Sequence, residues 1–215
     1  MKTDIKDFYF NSPRPEMLNY IPKTTRKVLD VGCANGMFAS LVKQEFDAIV
    51  WGIELNPDAA HIASKNLDRV IVKDIFDAFS DLPEKYFDCV VFNDVLEHLV
   101  DPYSVLEEIK KFLSPEGVIV ASIPNIRHAP VLFDLVVKGN WDYAEYGVLD
   151  KTHLRFFTKA SIKKMFSNSG YELIQMNGIN RSVSIKGKII SKLLIGAISD
   201  MKYIQFACLA RPKNH

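Results

Sequence analysis

The chain has 215 residues, enough for one large domain and short for two. Hydrophobic residues make up 48%, charged residues 25%, and the net charge is +1, which leaves no bulk electrostatic case for a nucleic-acid partner. No apolar run approaches the ~20 residues of a membrane span, and Met1 to Phe10 lacks the apolar core of a secretion signal.

In chain order, "FYFNSPRPEMLNYIP" (8–22) reads as an amphipathic cover helix with Met17, Leu18 and Ile21 turned to the core. "KVLDVG" (27–32) is a short buried strand, and "MFASLVKQE" (37–45) has helical spacing. A second strand, "AIVWGIEL" (48–55), leads to Asn56-Pro57, an N-cap and first-turn proline for a helix over 58–67. "RVIVKD" (69–74) and "FDCVVFND" (87–94) are the third and fourth strands, and Asp101-Pro102 starts a helix over 103–113. The turn "SPEG" (114–117) enters a fifth strand, "GVIVASIP" (117–124). Continuously apolar strands alternating with helices predict an α/β, doubly wound, mostly parallel sheet. The loops are short, so the chain reads as a single domain, residues 1–215.

The pattern then changes. A helix over 129–139 precedes an irregular aromatic stretch over 140–157. Thr158 caps a helix over 159–169 that ends at Gly170, and "YELIQMNGI" (171–179) and "YIQFACLARP" (203–212) read as two further strands. Between them, 183–199 sets Lys186, Lys188 and Lys192 beside several isoleucines and leucines: a lid helix, or a basic apolar helix for peripheral membrane contact. Cys33, Cys89 and Cys208 lie in apolar segments and read as reduced thiols of a cytoplasmic protein.

The strongest local signal is "VLDVGCANG" (28–36), a strand that ends in a glycine turn before a helix. Such a turn lets backbone approach a ligand, and the helix start suits a carboxylate or phosphate; a bare strand-to-helix turn is the plain alternative. A dinucleotide loop needs G-x-G-x-x-G, and Ala34 and Met37 break that pattern after Gly32. Glu54, Asp74, Asn93 and Asp94 also end strands, so polar groups gather at one end of the sheet, where open α/β folds bind ligands.

The spacing Asp30-x-Gly32-x-x-x-Gly36 resembles motif I of class I S-adenosylmethionine-dependent methyltransferases, with Ala34 at the middle glycine. "NDVLEHLVDP" (93–102) is similar to that family's fourth motif. The resemblance covers most of 27–125. It implies S-adenosylmethionine as cofactor and a seven-stranded, Rossmann-like sheet in the order 3-2-1-4-5-7-6, with the C-terminal pair antiparallel. Residues 1–26 would cover the site, 27–125 bind the cofactor, and 126–215 form the acceptor side and the last two strands. By the same resemblance Gly32, Cys33 and Gly36 cradle the methionine part, and Asp30 supports the loop and meets the cofactor amine through water. Glu54, with Leu55 beside it, binds the ribose, Asp74 and Ile75 bind adenine, and Asn93 lines the methyl-donor end. Arg14 is the candidate for the methionine carboxylate, because a guanidinium grips carboxylates in two places.

Methyl transfer to a hydroxyl requires removal of a proton, so a positioned histidine is sought. His61 and His215 read as solvated, and His128 follows the fifth strand. His98, in "LEHL", and His153, in "LDKTHLRFF", are the candidate bases, with His153 preferred. Trp141, Tyr143, Tyr146, Phe156 and Phe157 would wall an acceptor pocket around His153. Alternatively Asp150 pairs with His153 or Arg155 and locks the loop. No His/Asp/Glu spacing along the chain implies a metal. "D-x-x-H-L-R-F-F-T" also resembles bacterial methyltransferases of cell-surface polysaccharide and glycan assembly, which implies a sugar hydroxyl as acceptor. Ubiquinone-pathway methyltransferases share the Glu-His after the fourth strand, so a phenolic or lipid-like acceptor stays open. The rivals are an NAD-dependent oxidoreductase and a non-catalytic cofactor-binding module.

Overall fold

The computed structural model describes residues 11–181 and 199–213. The basic stretch 183–199, with its membrane-contact expectation, lies outside the described residues except for Ser199, and His215 lies outside them too. Seven strands form one sheet: β1 (Lys27–Val31), β2 (Ile49–Ile53), β3 (Arg69–Ile71), β4 (Phe87–Asn93), β5 (Leu113–Pro124), β6 (Tyr171–Arg181) and β7 (Tyr203–Pro212). Their order is β3-β2-β1-β4-β5-β7-β6, as the resemblance implied. β1 to β5 pair in parallel, and β7 runs antiparallel to both β5 and β6.

Alternation along each strand sends side chains to opposite faces. Leu29 and Val31 join Phe92, Leu106, Ile109, Ile162 and Phe166 on one face, under helices α4 (Pro102–Ile109) and α6 (Lys159–Asn168). Val28 joins Met17, Phe38, Val42 and Phe46 on the other, under α1 (Met37–Phe46) and α2 (Pro57–Ala63). The core is therefore two apolar layers with the sheet between them, and the strand ends are left to carry polar groups.

Three local expectations are corrected. The "SPEG" turn is a bulge inside β5: pairing jumps from Phe87–Leu113 to Cys89–Val118. A Cβ on Gly117 would meet the Phe87 and Ser114 carbonyl oxygens at 2.8 and 2.9 Å, so only glycine lets the strand resume there. The N-terminal cover is a 3-10 helix, Pro15–Tyr20, rather than an α-helix. Pro13 and Pro15 flank Arg14, whose φ of 43° turns the chain. Met17 and Ile21 are nevertheless buried, as expected. A short helix α3 (Ile75–Ala78), capped by Asp74, follows β3 where no helix was read. α5 (Ala129–Lys138) ends at Gly139 in the left-handed region, as its glycine suggests. α6 opens with a capping box between Thr158 and Ser161.

Candidate active site

The carboxyl ends of β1 to β5 open onto one cavity of about 980 Å³, at the upper end of the ~300–1,000 Å³ usual for small-molecule sites. Asp30, Gly32, Cys33, Glu54, Leu55, Asp74, Ile75 and Asn93 all line it, and so do Arg14, His98 and His153. Gly36 does not; it sits at the start of α1. The sequence thus located one wall of the cavity almost completely.

The loop after β1 is built on its own backbone. Gly32, Ala34 and Gly36 have φ of 70°, 48° and 77°, all left-handed. The Gly32 and Cys33 N–H groups donate to the Ile53 carbonyl at 2.8 and 3.1 Å, and the Gly36 N–H donates to Cys33 at 2.8 Å. These three N–H groups are spent inside the protein. The expected backbone cradle is therefore a matter of shape: a Cβ on Gly32 would lie 2.8 Å from Val95 Cγ2. Gly36 has its own reason, since a Cβ there would stand 3.1 Å from Ala63. The Cys33 side chain lies over Gly52, within 2.5 Å of where a Cβ would be, and burial pushes its thiol up in pKa.

Glu54 is nearly buried and holds the loop. Its Oε2 accepts from the Ala34 N–H at 2.9 Å and its Oε1 from the Asn56 N–H at 2.8 Å. Each oxygen keeps lone-pair capacity on the cavity side for a diol. Asp74 caps α3 through Oδ1, 2.9 Å from the Phe76 N–H, and is otherwise exposed. Asp30 is 3% exposed, and burial, followed by the charge of Glu54, pushes its pKa up to about 8. A buried carboxyl held at that value is a place for a cation to arrive.

Arg14 departs from its expected role. Its Nε donates to Glu16 at 2.8 Å, one terminal nitrogen is paired with Asp94, and the other donates to Gln205 at 3.0 Å. Gln205 and Ser122 in turn donate to Asp94 at 2.6 and 3.1 Å. Arg14 ties the N-terminal segment to β4, β5 and β7 across the cavity rim instead of waiting for a carboxylate. Gln205, on β7, was not singled out from sequence, because nothing local to it marks a site. At the end of β4, both side-chain polar atoms of Asn93 are buried without a partner.

A second part of the cavity lining joins two distant segments. Glu97 and His98 lie in a 3-10 turn, Leu96–His98, after β4. His153 comes from the loop before α6, whose Leu154 and Arg155 N–H groups both donate to the Glu97 carbonyl at 2.9 Å. The His98 and His153 rings stand 4.7 Å apart, edge to face. His153 Nδ1 lies 3.1 Å from the Val148 carbonyl and its Nε2 lies 3.9 Å from Glu97 Oε1. Burial lowers the pKa of both histidines, so both are neutral near pH 7. Burial also pushes Glu97 up to about 8, and neither of its oxygens has a hydrogen-bond partner.

The locking pairs expected for Asp150 are absent. Its Oδ1 accepts from the Thr152 N–H and hydroxyl at 2.8 and 2.6 Å, while Arg155 donates to the Val100 carbonyl. Of the five aromatics expected as walls, only Tyr146 lines the cavity. Trp141 packs against Phe156, which packs against His153, and Phe157 is in the core. His128 holds the N-cap position of α5 without a side-chain capping bond and does not line the cavity. Glu97 was legible only as half of the Glu-His pair; its contact with His153 is made by folding.

A family model described as "Methyltransferase domain" matches residues 6–176. A ubiquinone biosynthesis O-methyltransferase of Psychrobacter arcticus is 30% identical over 167 residues, 72% of this chain and 62% of the relative. One of the same name from Vibrio atlanticus is 29% identical over 179 residues, 77% of this chain and 73% of the relative. The chain spans less than two thirds of the Psychrobacter arcticus and Histophilus somni relatives, 62% and 65% of their lengths. Among solved structures, a SAM-dependent methyltransferase of Archaeoglobus fulgidus superposes with a TM-score of 0.67 at 21% identity, covering 95% of this chain and 96% of that one. The broken G-x-G-x-x-G, the reversed last strand and the family match together exclude the dinucleotide reading. The chain belongs to the methyltransferase-domain family, in its class I S-adenosylmethionine-dependent group.

Proposed function

We propose that this chain transfers a methyl group from S-adenosylmethionine to a hydroxyl of a phenolic, quinone-precursor-like acceptor. The observation that carries the reading is one cavity lined both by the glycine loop and Glu54 and by Glu97, His98 and His153. On this reading the cofactor takes the glycine-loop side of the cavity and the polar cluster receives the acceptor hydroxyl. The O-methyltransferase relatives named above favour a phenolic over a sugar hydroxyl. The glycan resemblance of "D-x-x-H-L-R-F-F-T" finds no support among them.

The cofactor supplies a methyl group on a sulfonium, an electrophile that needs no further activation. The chain's own groups then orient and desolvate. Glu54 accepts from the ribose hydroxyls with the lone pairs left by the Ala34 and Asn56 N–H groups. Asp30 meets the amine, Asp74 and Ile75 take the adenine, with Leu55 beside the ribose, and Asn93 offers its unpaired amide at the donor end. Gly32 leaves room for the Val95 side chain beside the cavity, and Arg14 closes the rim. The acceptor's proton leaves at the histidine end of the cavity.

The test is methyl transfer from radiolabelled S-adenosylmethionine to a catechol carboxylate, to a simple phenol and to a free sugar. Transfer to the phenolic oxygens and not to the sugar supports the reading. Transfer to the sugar alone restores the glycan assignment.

A further inference from the structure

We propose that Glu97, His98 and His153 bind one divalent transition-metal ion at the acceptor end of the cavity. One potential ligand atom from each lies within 4.8 Å of the others. The His153 Nε2 to Glu97 Oε1 distance is 3.9 Å, too long for a hydrogen bond and about half an ångström wider than the ~3.4 Å between two ligands of a tetrahedral ion, a gap that a small side-chain rotation closes.

Proton positions strengthen the case. A carbonyl can only accept, so His153 Nδ1, 3.1 Å from the Val148 oxygen, carries the hydrogen and Nε2 carries the lone pair. The Thr152 hydroxyl spends its hydrogen on Asp150 Oδ1 at 2.6 Å. Thr152 therefore offers His98 only acceptors, its hydroxyl oxygen at 3.1 Å and its carbonyl at 3.2 Å. His98 Nδ1 is then protonated as well, and its Nε2 holds a lone pair. Backbone and hydroxyl acceptors on Nδ1 are the usual means of aiming an imidazole at a metal. Glu97 completes the set: it is 1% exposed, and both of its oxygens lack a hydrogen-bond partner. A buried carboxylate with no partner calls for a positive one.

The donor set names the class of ion. Two imidazoles and one carboxylate suit Zn²⁺, Mn²⁺, Fe²⁺ or Co²⁺ better than Mg²⁺ or Ca²⁺, which favour all-oxygen sites. Spacing along the chain could not show this, because His153 lies 55 residues beyond His98. Three protein ligands leave open positions, and all three side chains line the cavity. On the phenolic reading above, on which this use of the ion rests, the acceptor hydroxyl takes an open position. Its O–H proton passes to water as the oxygen binds. The new O–CH₃ bond then forms as the S–CH₃ bond breaks, and the neutral thioether leaves with the sulfonium's former electron pair.

The experiment strips the chain with a chelator, removes the chelator by dialysis and titrates Co²⁺ while recording its visible absorption. Calorimetry with S-adenosylmethionine on the same sample checks that the fold and the cofactor site are intact. We expect one Co²⁺ per chain, with affinity reduced about 100-fold in Glu97→Gln and in His153→Ala, and about tenfold in Thr152→Val, which leaves all three ligands in place. A stripped chain that binds S-adenosylmethionine but no Co²⁺ at about 1 mM overturns the proposal. Equal Co²⁺ affinity in Glu97→Gln overturns it too. Stoichiometric, Glu97-dependent Co²⁺ binding without methyl transfer to any phenol supports the site and sinks the acceptor reading instead.

Discussion

With Asp30 at the cofactor amine, as proposed, cofactor binding depends on pH in a direction that can be worked out. The carboxyl is 3% exposed and its pKa is pushed up to about 8 by burial and by Glu54. At pH 7 roughly nine in ten free chains therefore hold it protonated. The cofactor amine is cationic, and its arrival favours the ionised form, so binding must release a proton. Affinity should rise nearly tenfold per pH unit from pH 6, roughly fifty-fold by pH 8, and level off above that. Calorimetry in buffers of different ionisation enthalpy should show about 0.9 proton released per cofactor at pH 7. The stability of the free protein runs the other way. Its folded state holds this proton more tightly than the unfolded chain, so Asp30 costs stability progressively as pH rises from about 4 to 8. Asp30→Asn should accordingly raise the Tm of the free protein at pH 8, weaken cofactor binding there and flatten the pH profile. A dissociation constant that stays level from pH 6 to 8.5, or an unchanged profile in Asp30→Asn, refutes the reasoning.

Gly32→Ala places a Cβ 2.8 Å from Val95 at a φ of 70°, and should cost about 1–2 kcal/mol in denaturant melts and abolish cofactor binding in calorimetry. Arg14→Ala removes the tie between the rim and Asp94 and should speed cofactor release about tenfold in stopped flow, with little change in Tm. Thr158→Ala breaks the capping box of α6 and should cost about 1 kcal/mol of stability while leaving cofactor affinity unchanged. Tyr171→Phe removes the hydrogen bond to the Leu106 carbonyl, at 2.7 Å, and should likewise cost about 1 kcal/mol with no effect on binding.

The cofactor half was legible because its chemistry is local to strand ends. Asp30, Glu54, Asp74 and Asn93 each terminate or closely follow an apolar run, and parallel strands bring such positions to one edge. The acceptor half was legible in its residues but not in its contacts. Asp150, His153 and Arg155 were recognised as a unit, yet Asp150 serves Thr152 and Arg155 serves Val100. Pairing by proximity in sequence failed because a loop's partners come from whatever element it lies on, here the turn holding Glu97. The aromatics misled for a similar reason: composition does not say which ring faces the cavity and which packs on another ring.

The distribution of unmet hydrogen bonds bears on where the molecule has kept room for a ligand. Among the described residues, buried side-chain polar atoms without a partner occur on Asn93, Glu97, His128 and Ser169. Asn93 and Glu97 hold four of the six such atoms, and both line the cavity. The fold gains nothing in stability from leaving an amide and a carboxyl group bare four residues apart. Asp30 adds a third cost at the same cavity, since a leucine there would be cheaper to bury. These deficits fall where β1 and β4 end side by side, at the junction between the cofactor wall and the acceptor cluster. Ligands that supply an ammonium, a hydroxyl and a metal ion would satisfy all three, so the protein's least stable groups are the ones its chemistry would complete.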